Sequence, residues 1–538
     1  MRSGGAQQRK RKREDDERRC GLHSSSLATH LIYQFAWGAY SPQEVQRLAS
    51  LALNDMKKVA RPEDLPQDLI DVAAIGAGGK HPSKCHGDLI KLVEPQIKLP
   101  QPTVAKLPFK APVKEHDQAM FLPHEVFASL YKDYGDAWVR SMVPSEGNIP
   151  EFWDSVAEHP SLQNHPLKLR GDFRSKCIPI GLHGDDVPCT GLGKCWVSKQ
   201  TQFSWYSLLA TGESTKDGMF WIYGCMEKLR SNDLASHTMH KFLHILAWSF
   251  LWLSRGQWPD EDWNGKKYPR GSREQKRALK PLASGFYCCL FSIIGDLDYF
   301  AGILQLPHFA SKSNPCPLCR ASSTGSDQFM FGSVLALLTH TVLPATPLEN
   351  LKRVWARVLH FYKASRTPAA NRFRSLGKLS MFVRRTGYPK LRGKGHELKH
   401  FGRALLDVWQ HFHNPVIRIH QQILLMLQLN VRMEDLLLDH KTCFVFPPAA
   451  AQEFRETASA MEGIQNFDVT SKFHMLQHIA DYAHCLSPRL VWCFSGEDLM
   501  RHLQKLAQAS SRGVKAVSVV NKMSRKYRLA MHMQFTKV

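Results

Sequence analysis

Three short segments of the chain each supply a carboxylate at a defined point of a regular pattern. Two apolar, strand-like runs end in Gly-Asp, at Asp185 and Asp296, and a third segment places Glu497 at the start of a helix-like stretch. Carboxylates from separate elements must converge to hold two metal ions about 3.5–4 Å apart. One acid at a strand end is usually a solvated turn residue, but the order and context of all three predict a two-metal phosphoryl-transfer site.

The elements around the two aspartates follow the order strand, strand, strand, helix, strand. Strand-like runs cover 177–182, 202–210 and 218–225, a helical stretch covers 232–253, and a continuously apolar run covers 285–294. The last run is typical of a strand that is buried on both faces. With one acid ending the first strand and another ending the fourth, this order predicts an α/β fold with an RNase H-like mixed sheet.

The rest of the chain is predicted to be mostly helical. Ser41 followed by Pro42 is typical of a helix start, residues 91–113 form a proline-rich extended connector, and residues 117–170 have a helical pattern. In chain order we predict a disordered basic tail (1–25), a helical N-terminal domain with the connector (26–174), the first part of an RNase H-like catalytic core (175–325), a large helical insertion (326–465), the last part of the core (466–515) and a basic C-terminal tail (516–538).

Charge and composition limit the classes of function. The chain has 71 Lys and Arg residues against 48 Asp and Glu, a net charge of +23, which favours a polyanionic partner such as nucleic acid. Five consecutive cations, Arg9–Arg13, predict a nuclear import signal, with a solvated tail as the alternative. No apolar run reaches 18 residues, so no membrane span is predicted. The 13 scattered cysteines are expected to be reduced thiols, in the nucleus or the cytosol.

At these motifs the chain resembles the DDE-type eukaryotic DNA transposases of the CACTA (En/Spm-like) group and their relatives. His183-Gly-Asp185 is similar to the first-acid motif of that group, Gly295-Asp296 to the second, and Gly496-Glu497 begins the helix expected to carry the third. The resemblance covers residues 175–515 and is confined to motifs. Asp186 departs from the family pattern, because glycine usually follows the first aspartate.

The resemblance implies that Asp185, Asp296 and Glu497 are catalytic and hold two Mg²⁺ (or Mn²⁺) ions, with Asp186 as an alternative to Asp185. It implies cleavage and transfer of double-stranded DNA in the nucleus by a homo-oligomer. A decayed or domesticated copy would instead be a non-catalytic DNA-binding protein, which is the alternative function.

Cysteine spacing suggests a second metal. Cys316 and Cys319 have the Cys-x-x-Cys spacing of half a zinc site, and His308 lies upstream. A closed structural site needs four ligands. Candidates for the remaining position include Cys288, Cys289, His474 and His478. Buried thiols or a redox pair are the alternatives, and a zinc-stabilised interaction module is a third candidate function.

A dense basic stretch suggests where DNA would lie. Its seven cations are Arg372, Arg374, Lys378, Arg384, Arg385, Lys390 and Arg392. Phe373, Phe382 and Tyr388 are interleaved with them, a pattern that suits cations on phosphates and rings on unstacked bases. A solvated basic loop is the alternative. Further cations that could add to this surface are Lys515, Lys522, Arg525, Lys526 and Arg528.

Overall fold

The computed structural model describes residues 25–190, 198–211, 214–308, 311, 316, 318–319, 330–393, 395–464 and 471–536. The predicted import signal lies outside these residues. The chain divides into two compact units. The sheet unit contains the residues up to Ile149, Ser175–Ile293 and the residues from Ser495 onward; the helical unit contains Pro150–Arg174 and Ile294–Phe494.

Four helices begin the sheet unit: α1 (Ser26–Ala36), α2 (Pro42–Met56), α3 (Gln67–Gly78) and α4 (Cys85–Val93). Ser41 caps α2 as its sequence predicts. Its hydroxyl accepts a hydrogen bond from the Glu44 N–H, and the Glu44 carboxylate accepts one from the Ser41 N–H at 2.7 Å. This reciprocal capping box satisfies two backbone donors that a helix start leaves unpaired.

A two-stranded hairpin follows, formed by β1 (Thr103–Pro108) and β2 (Glu115–Met120). The helical prediction is therefore wrong for the start of 117–170, because β2 is polar and gives no strand pattern. Its pairing partners decide its structure: β1 on one side and the Asn521 side chain, which accepts from the Ala119 N–H at 2.8 Å. The helices α5 (Pro123–Asp133), α6 (Gly135–Ser141), α7 (Asn148–Ser155) and α8 (Phe173–Lys176) complete this part of the chain.

A four-stranded sheet with the order β5-β4-β3-β6 follows. Its strands are β3 (Cys177–Thr190), β4 (Ser198–Ser207), β5 (Met219–Met226) and β6 (Tyr287–Gly295), and β3, β4 and β5 pair antiparallel. The short helix α9 (Thr215–Gly218), the long helix α10 (Thr238–Arg255) and the short helix α11 (Arg273–Arg277) lie between these strands in the chain. The fold is mixed α/β.

Two details of the sheet differ from the sequence predictions. The first strand does not end at Asp185, since β3 continues to Thr190 with Asp185 paired to Gln202 and Asp186 paired to Thr201. β6 is not buried on both faces, because Leu290 is 37% exposed and Ile293 43% exposed. A strand next to only one neighbour keeps part of its apolar surface accessible, and β6 ends the sheet order among the described strands.

Helices pack on both faces of the sheet. On one face the rings of Phe203 and Tyr223 lie 4.7 and 4.8 Å from the ring of Phe242 in α10. On the other face Trp221 lies 5.3 Å from Tyr527, and its backbone N–H donates to the Tyr527 hydroxyl at 2.7 Å. A register shift between β4 and β5 places Trp221 and Tyr223 on opposite faces. The covering helices on this second face are α19 (Phe494–Ser511) and α20 (Val519–Phe535).

The second segment of the helical unit begins at the end of β6, and the unit has its own apolar core. Its helices are α12 (Leu297–Gly302), α13 (Met330–Leu337), α14 (Pro347–Ala364), α15 (Gly395–Phe412), α16 (Arg418–Asp439), α17 (Pro448–Glu462) and α18 (Ser471–Tyr482). Asn350 holds the turn before α14, because its amide donates to the carbonyls of Thr339, Leu343 and Ala345 at 2.8–2.9 Å. None of the helices that the structure describes has the length and apolarity needed to cross a bilayer.

Candidate functional site

The start of α19 lies directly on β3. Gly496 is buried, and a Cβ atom built on it would overlap the imidazole ring of His183. The two backbones can approach this closely only because position 496 has no side chain. Eight residues further along α19, the Gln504 side chain donates to the Pro188 carbonyl at 2.8 Å. The helix therefore runs along β3 in the direction of the strand.

This packing brings together the two segments that carry Asp185 and Glu497. Asp185 lies two residues after His183, so their side chains share a face of the sheet. Glu497 directly follows Gly496, which covers His183 on that face. Asp185 is half-buried and Glu497 is exposed. Asp185 and Glu497 thus lie close to one point of contact between a strand and a helix start.

Asp186 faces the opposite side of the sheet. Its carboxylate accepts a hydrogen bond from the Thr201 hydroxyl at 2.6 Å, and Arg230 donates to the same hydroxyl at 3.2 Å. Neighbouring residues of a strand point to opposite faces. The geometry therefore separates the two aspartates that the sequence leaves as alternatives: Asp185 shares the face of Gly496, and Asp186 has a partner on the other face.

Asp296 directly follows β6 and belongs to the helical unit. It is exposed and forms the N-cap of α12, where its Oδ1 accepts from the Tyr299 N–H at 2.6 Å. Within the same unit, the Cys493 thiol donates to the Gly295 carbonyl at 3.2 Å. The residue before Asp296 is therefore held to the residue that precedes α19.

His183 has a packing role that the sequence motif does not reveal. It is 1% exposed, and burial lowers the pKa of its imidazole to about 4. Its Nδ1 lies 3.5 Å from the Ser204 hydroxyl. The ring is neutral at neutral pH, so it adds no positive charge beside Asp185. The only sequence signal for this role is the Gly-Glu pair at the start of an amphipathic helix.

A cluster of metal-ligating side chains lies in the helical unit. Cys316, Cys319, His474 and His478 each offer one ligand atom, and these four atoms all lie within 4.8 Å of one another. The Nε2 atom of His474 lies 3.1 Å from the Cys319 sulfur and 3.1 Å from the Nε2 atom of His478. The two histidines are one helical turn apart on α18 and share a face. The cluster joins two segments that are 155 residues apart.

The cluster has a zinc-type donor set of two thiols and two imidazoles. Zn–S bonds of about 2.3 Å and Zn–N bonds of about 2.0–2.1 Å would place tetrahedral ligand atoms about 3.3–3.8 Å apart. The Leu318 N–H donates to the Cys316 sulfur at 3.4 Å, an interaction that favours a thiolate. His308 is not one of the four: it is exposed, and its Nε2 lies 3.7 Å from Asp298.

The two cysteines of β6 are also outside the cluster. Burial raises the pKa of the Cys289 thiol to about 11 and that of the Cys288 thiol well above its ordinary value. Both thiols are therefore protonated at neutral pH.

The basic stretch of the helical unit exposes all seven of its predicted cations. Its rings behave differently: Phe373 is 3% exposed and Phe382 is fully buried in the core of the unit, so the prediction that they stack on bases is wrong. Tyr388 remains 41% exposed. Arg374 pairs with Glu397 at 3.2 Å. Buried aromatic residues thus anchor an irregular segment that displays cations.

Two of the predicted C-terminal cations are buried in α20. Arg528 donates to the carbonyls of Leu99, Pro100 and Ile97 and to the Glu94 carboxylate. Lys526 is 2% exposed, and burial lowers the pKa of its ammonium group to about 8. Neither cation can contact DNA, so this part of the predicted basic surface is wrong.

The chain matches no protein-family model, and no curated protein matches it significantly in sequence.

Proposed function

We propose that the chain is a metal-dependent enzyme of the DDE transposase kind, which cleaves double-stranded DNA with Asp185, Asp296 and Glu497. The observation that carries this proposal is the close approach of Gly496 to His183, which holds the start of α19 on β3 beside Asp185. In a site of this kind, the third acid must lie at the start of a helix that packs on the face of a strand.

The strand order supports an RNase H-like core. Three consecutive antiparallel strands, β3 to β5, are followed by the crossover helix α10 and by β6, which lies beside β3. This places a strand followed by Asp296 next to the strand that carries Asp185. The Cys493–Gly295 hydrogen bond in the helical unit supports the same assignment of Asp296.

The donor set suits Mg²⁺ or Mn²⁺, because hard divalent ions prefer carboxylate oxygens. When bound, a pair of such ions would activate the attacking hydroxyl and stabilise the leaving oxygen at phosphorus. Asp185 and Glu497 would hold the ions from two packed elements. The Oδ1 atom of Asp296 caps α12, which leaves its Oδ2 atom for a cation. The neutral His183 adds no positive charge beside Asp185.

The exposed cations between Arg372 and Arg392 would contribute phosphate contacts. We assign them no base contacts, because two of the three interleaved rings are buried.

The proposal is tested by nicking of supercoiled plasmid DNA in Mg²⁺ or Mn²⁺, together with Mn²⁺ titration calorimetry. Asp296→Asn and Glu497→Gln should each reduce the nicking rate at least about 100-fold, since each removes a charge that the metal site needs. Both substitutions should also weaken Mn²⁺ binding, which is a readout independent of turnover.

Asp498→Asn is the matched control for Glu497→Gln. Asp498 is the next residue of α19, and its carboxylate accepts from the Thr215 hydroxyl and from Arg501, both at 2.6 Å. It should keep nicking within a few-fold of the wild type. Metal-independent nicking, or equal activity of Glu497→Gln and wild type, would reject this metal site. DNA binding without any nicking would leave a non-catalytic DNA-binding protein.

We also propose a structural zinc ion in the cluster of Cys316, Cys319, His474 and His478, because four suitable ligand atoms converge there. The ion would tie α18 to the segment that follows Asp296. The purified chain should contain one zinc per molecule, and Cys319→Ser or His478→Ala should lose the ion and lower the melting temperature.

Cys443→Ser is the control for the zinc test, since Cys443 is a half-buried free cysteine outside the cluster. It should retain one zinc per molecule. Retention of zinc by Cys319→Ser would reject this ligand set.

A further inference from the structure

The exposed side of α19 carries three cations that follow Glu497 along the chain. Arg501 and Lys505 follow the glutamate at intervals of four residues, and Arg512 comes directly after the helix. At 100° per residue these three positions fall within about 80° of Glu497 around the helix axis. All three cations are exposed or half-exposed on the solvent side. We call Arg501, Lys505 and Arg512 the α19 cation line.

The buried side of α19 fixes which way this line faces. Leu499, Leu503 and Leu506 are fully buried in the sheet unit. On the same buried side, Ala509 and the Lys505 carbonyl meet Gly38, and the ring of His502 lies 5.6 Å from that of Trp37. The helix cannot rotate without breaking these interactions, so the cation line stays on the solvent side together with Glu497.

Charges on the α19 cation line are only partly neutralised. Arg501 pairs with Asp498 at 2.6 Å but is still 60% exposed. Lys505 and Arg512 form no salt bridge in the part of the chain that the structure describes, although the charge of Arg512 helps to lower the pKa of the Glu44 carboxyl. A surface ion pair in water contributes little free energy. The stability of the helix therefore does not explain why these three exposed cations lie in a row.

Nearby residues show that the surrounding surface is positive. The pKa of His502 is lowered to about 4, first by burial and then by the charges of Lys216, Arg501 and Lys505, against an opposing effect of Asp498. The pKa of His86, on α4, is also lowered to about 4, by burial and by Lys526, Lys522 and Arg525. Lys216 thus adds a positive charge near His502, and Lys522, whose ammonium group donates to the Arg512 carbonyl at 2.8 Å, adds another at the far end of the line.

We propose that the α19 cation line binds the phosphate backbone of double-stranded DNA and leads it to Glu497. The inference rests on the proposed function, and it names the element that positions the substrate there. At 1.5 Å per residue, Arg501 and Arg512 are about 16 Å apart along the axis. This length spans about five phosphates of one strand at 3.4 Å per step.

The test is a salt series of binding measurements on the full chain without added Mg²⁺ or Mn²⁺, where no cleavage dependent on these ions occurs. A labelled duplex of about 30 base pairs serves as the probe in fluorescence anisotropy. Replacing Arg501, Lys505 and Arg512 with Gln should weaken binding about tenfold or more at about 0.15 M salt. The slope of log K against log salt should fall by about 0.9 for each phosphate that the variant no longer neutralises.

A control variant removes the same number of charges elsewhere on the sheet unit, with Lys266, Arg270 and Lys276 replaced by Gln. These three residues are exposed and lie outside α19. The control should keep the wild-type slope. The inference would be overturned if both triple variants weakened binding of the duplex equally. It would also be overturned if polyglutamate bound as tightly as the duplex and its binding depended on the α19 cation line. Binding is measured without Mg²⁺ or Mn²⁺, so it does not depend on catalysis. A cation line that does not bind DNA can therefore be distinguished from a carboxylate site that does not cleave it.

Discussion

α19 can lie on β3 because residue 496 is glycine, which has a hydrogen atom where alanine has a methyl group. The ring of His183 occupies the space that any side chain at this position would need, and the backbones of Gly496 and His183 are both fixed by their own elements. Overpacking of this kind usually costs about 1–3 kcal/mol, because neither neighbour can move freely.

Gly496→Ala should therefore lower the free energy of unfolding by about 1–3 kcal/mol and reduce nicking, since Glu497 is displaced with the helix start. Gly87→Ala is the control, because Gly87 lies in α4 and nothing lies within 4 Å of a Cβ built there. It should be neutral or stabilise the protein by up to about 1 kcal/mol. Urea unfolding measures both.

A double-mutant cycle separates the clash from other effects of Gly496→Ala. In a His183→Ala background the added methyl group has room, so its cost should fall well below its cost in the wild type. If the two costs are the same, the ring of His183 does not define this close approach.

At the scale of elements, α20 shows how burial changes the role of a basic sequence. Arg528 lies inside the sheet unit, where its guanidinium satisfies the carbonyls at the end of the Ile97–Pro100 segment. Arg525, three residues earlier on the same helix, is exposed. The two arginines look alike in sequence, and only packing distinguishes them.

Arg528→Met should lower the free energy of unfolding by about 3 kcal/mol or more, because it leaves buried carbonyls and Glu94 without their donor. Arg525→Met on the same helix should change it by less than about 0.5 kcal/mol. Urea denaturation followed by tryptophan fluorescence distinguishes the two variants. Equal stability of both would contradict the burial of Arg528.

Local patterns predicted the elements whose own sequence is decisive. The capping box at Ser41 and the apolar runs of β3 to β6 each carry a strong signal. The polar strand β2 has none, because its partners include Asn521, 402 residues further along the chain. β3 extends past Asp185 because β4 pairs with it, which no pattern in β3 itself reveals.

The sequence shows only parts of each candidate site. Cys316-x-x-Cys319 and the one-turn spacing of His474 and His478 can each be read from sequence, but their convergence is a tertiary fact. The choice between Asp185 and Asp186 likewise depends on which face each side chain takes in the sheet. Spacing along the chain cannot supply either answer.

At the scale of the whole molecule, buried neutral histidines make the sheet unit sensitive to acid. Burial lowers the pKa of His86, His183 and His502 to about 4 and that of His124 to about 3. The ordinary pKa of histidine in an unfolded chain is about 6.5. Below that pH these histidines bind protons in the unfolded chain but stay neutral in the folded unit, so stability falls as the pH falls.

His124 gives the clearest test of this effect, because it is 1% exposed and its Nδ1 lies 2.8 Å from the Ser249 hydroxyl. Between about pH 6.5 and the folded pKa of His124, this residue should lower the free energy of unfolding by about 1.4 kcal/mol for each unit by which the pH falls. His124→Gln should reduce the pH slope of the unfolding free energy by that amount between about pH 6 and about pH 5. An unchanged slope would show that His124 is protonated in the folded state.

The central claim is that Asp185, and not its neighbour, is the acid of β3 that serves a metal site. Its most direct test compares plasmid nicking by Asp185→Asn and Asp186→Asn in Mg²⁺. The two changes are the same in charge and size, one residue apart, on opposite faces of one strand. We expect Asp185→Asn to abolish nicking and Asp186→Asn, which keeps an acceptor for the Thr201 hydroxyl, to retain it. Loss of nicking in Asp186→Asn alone would contradict the account.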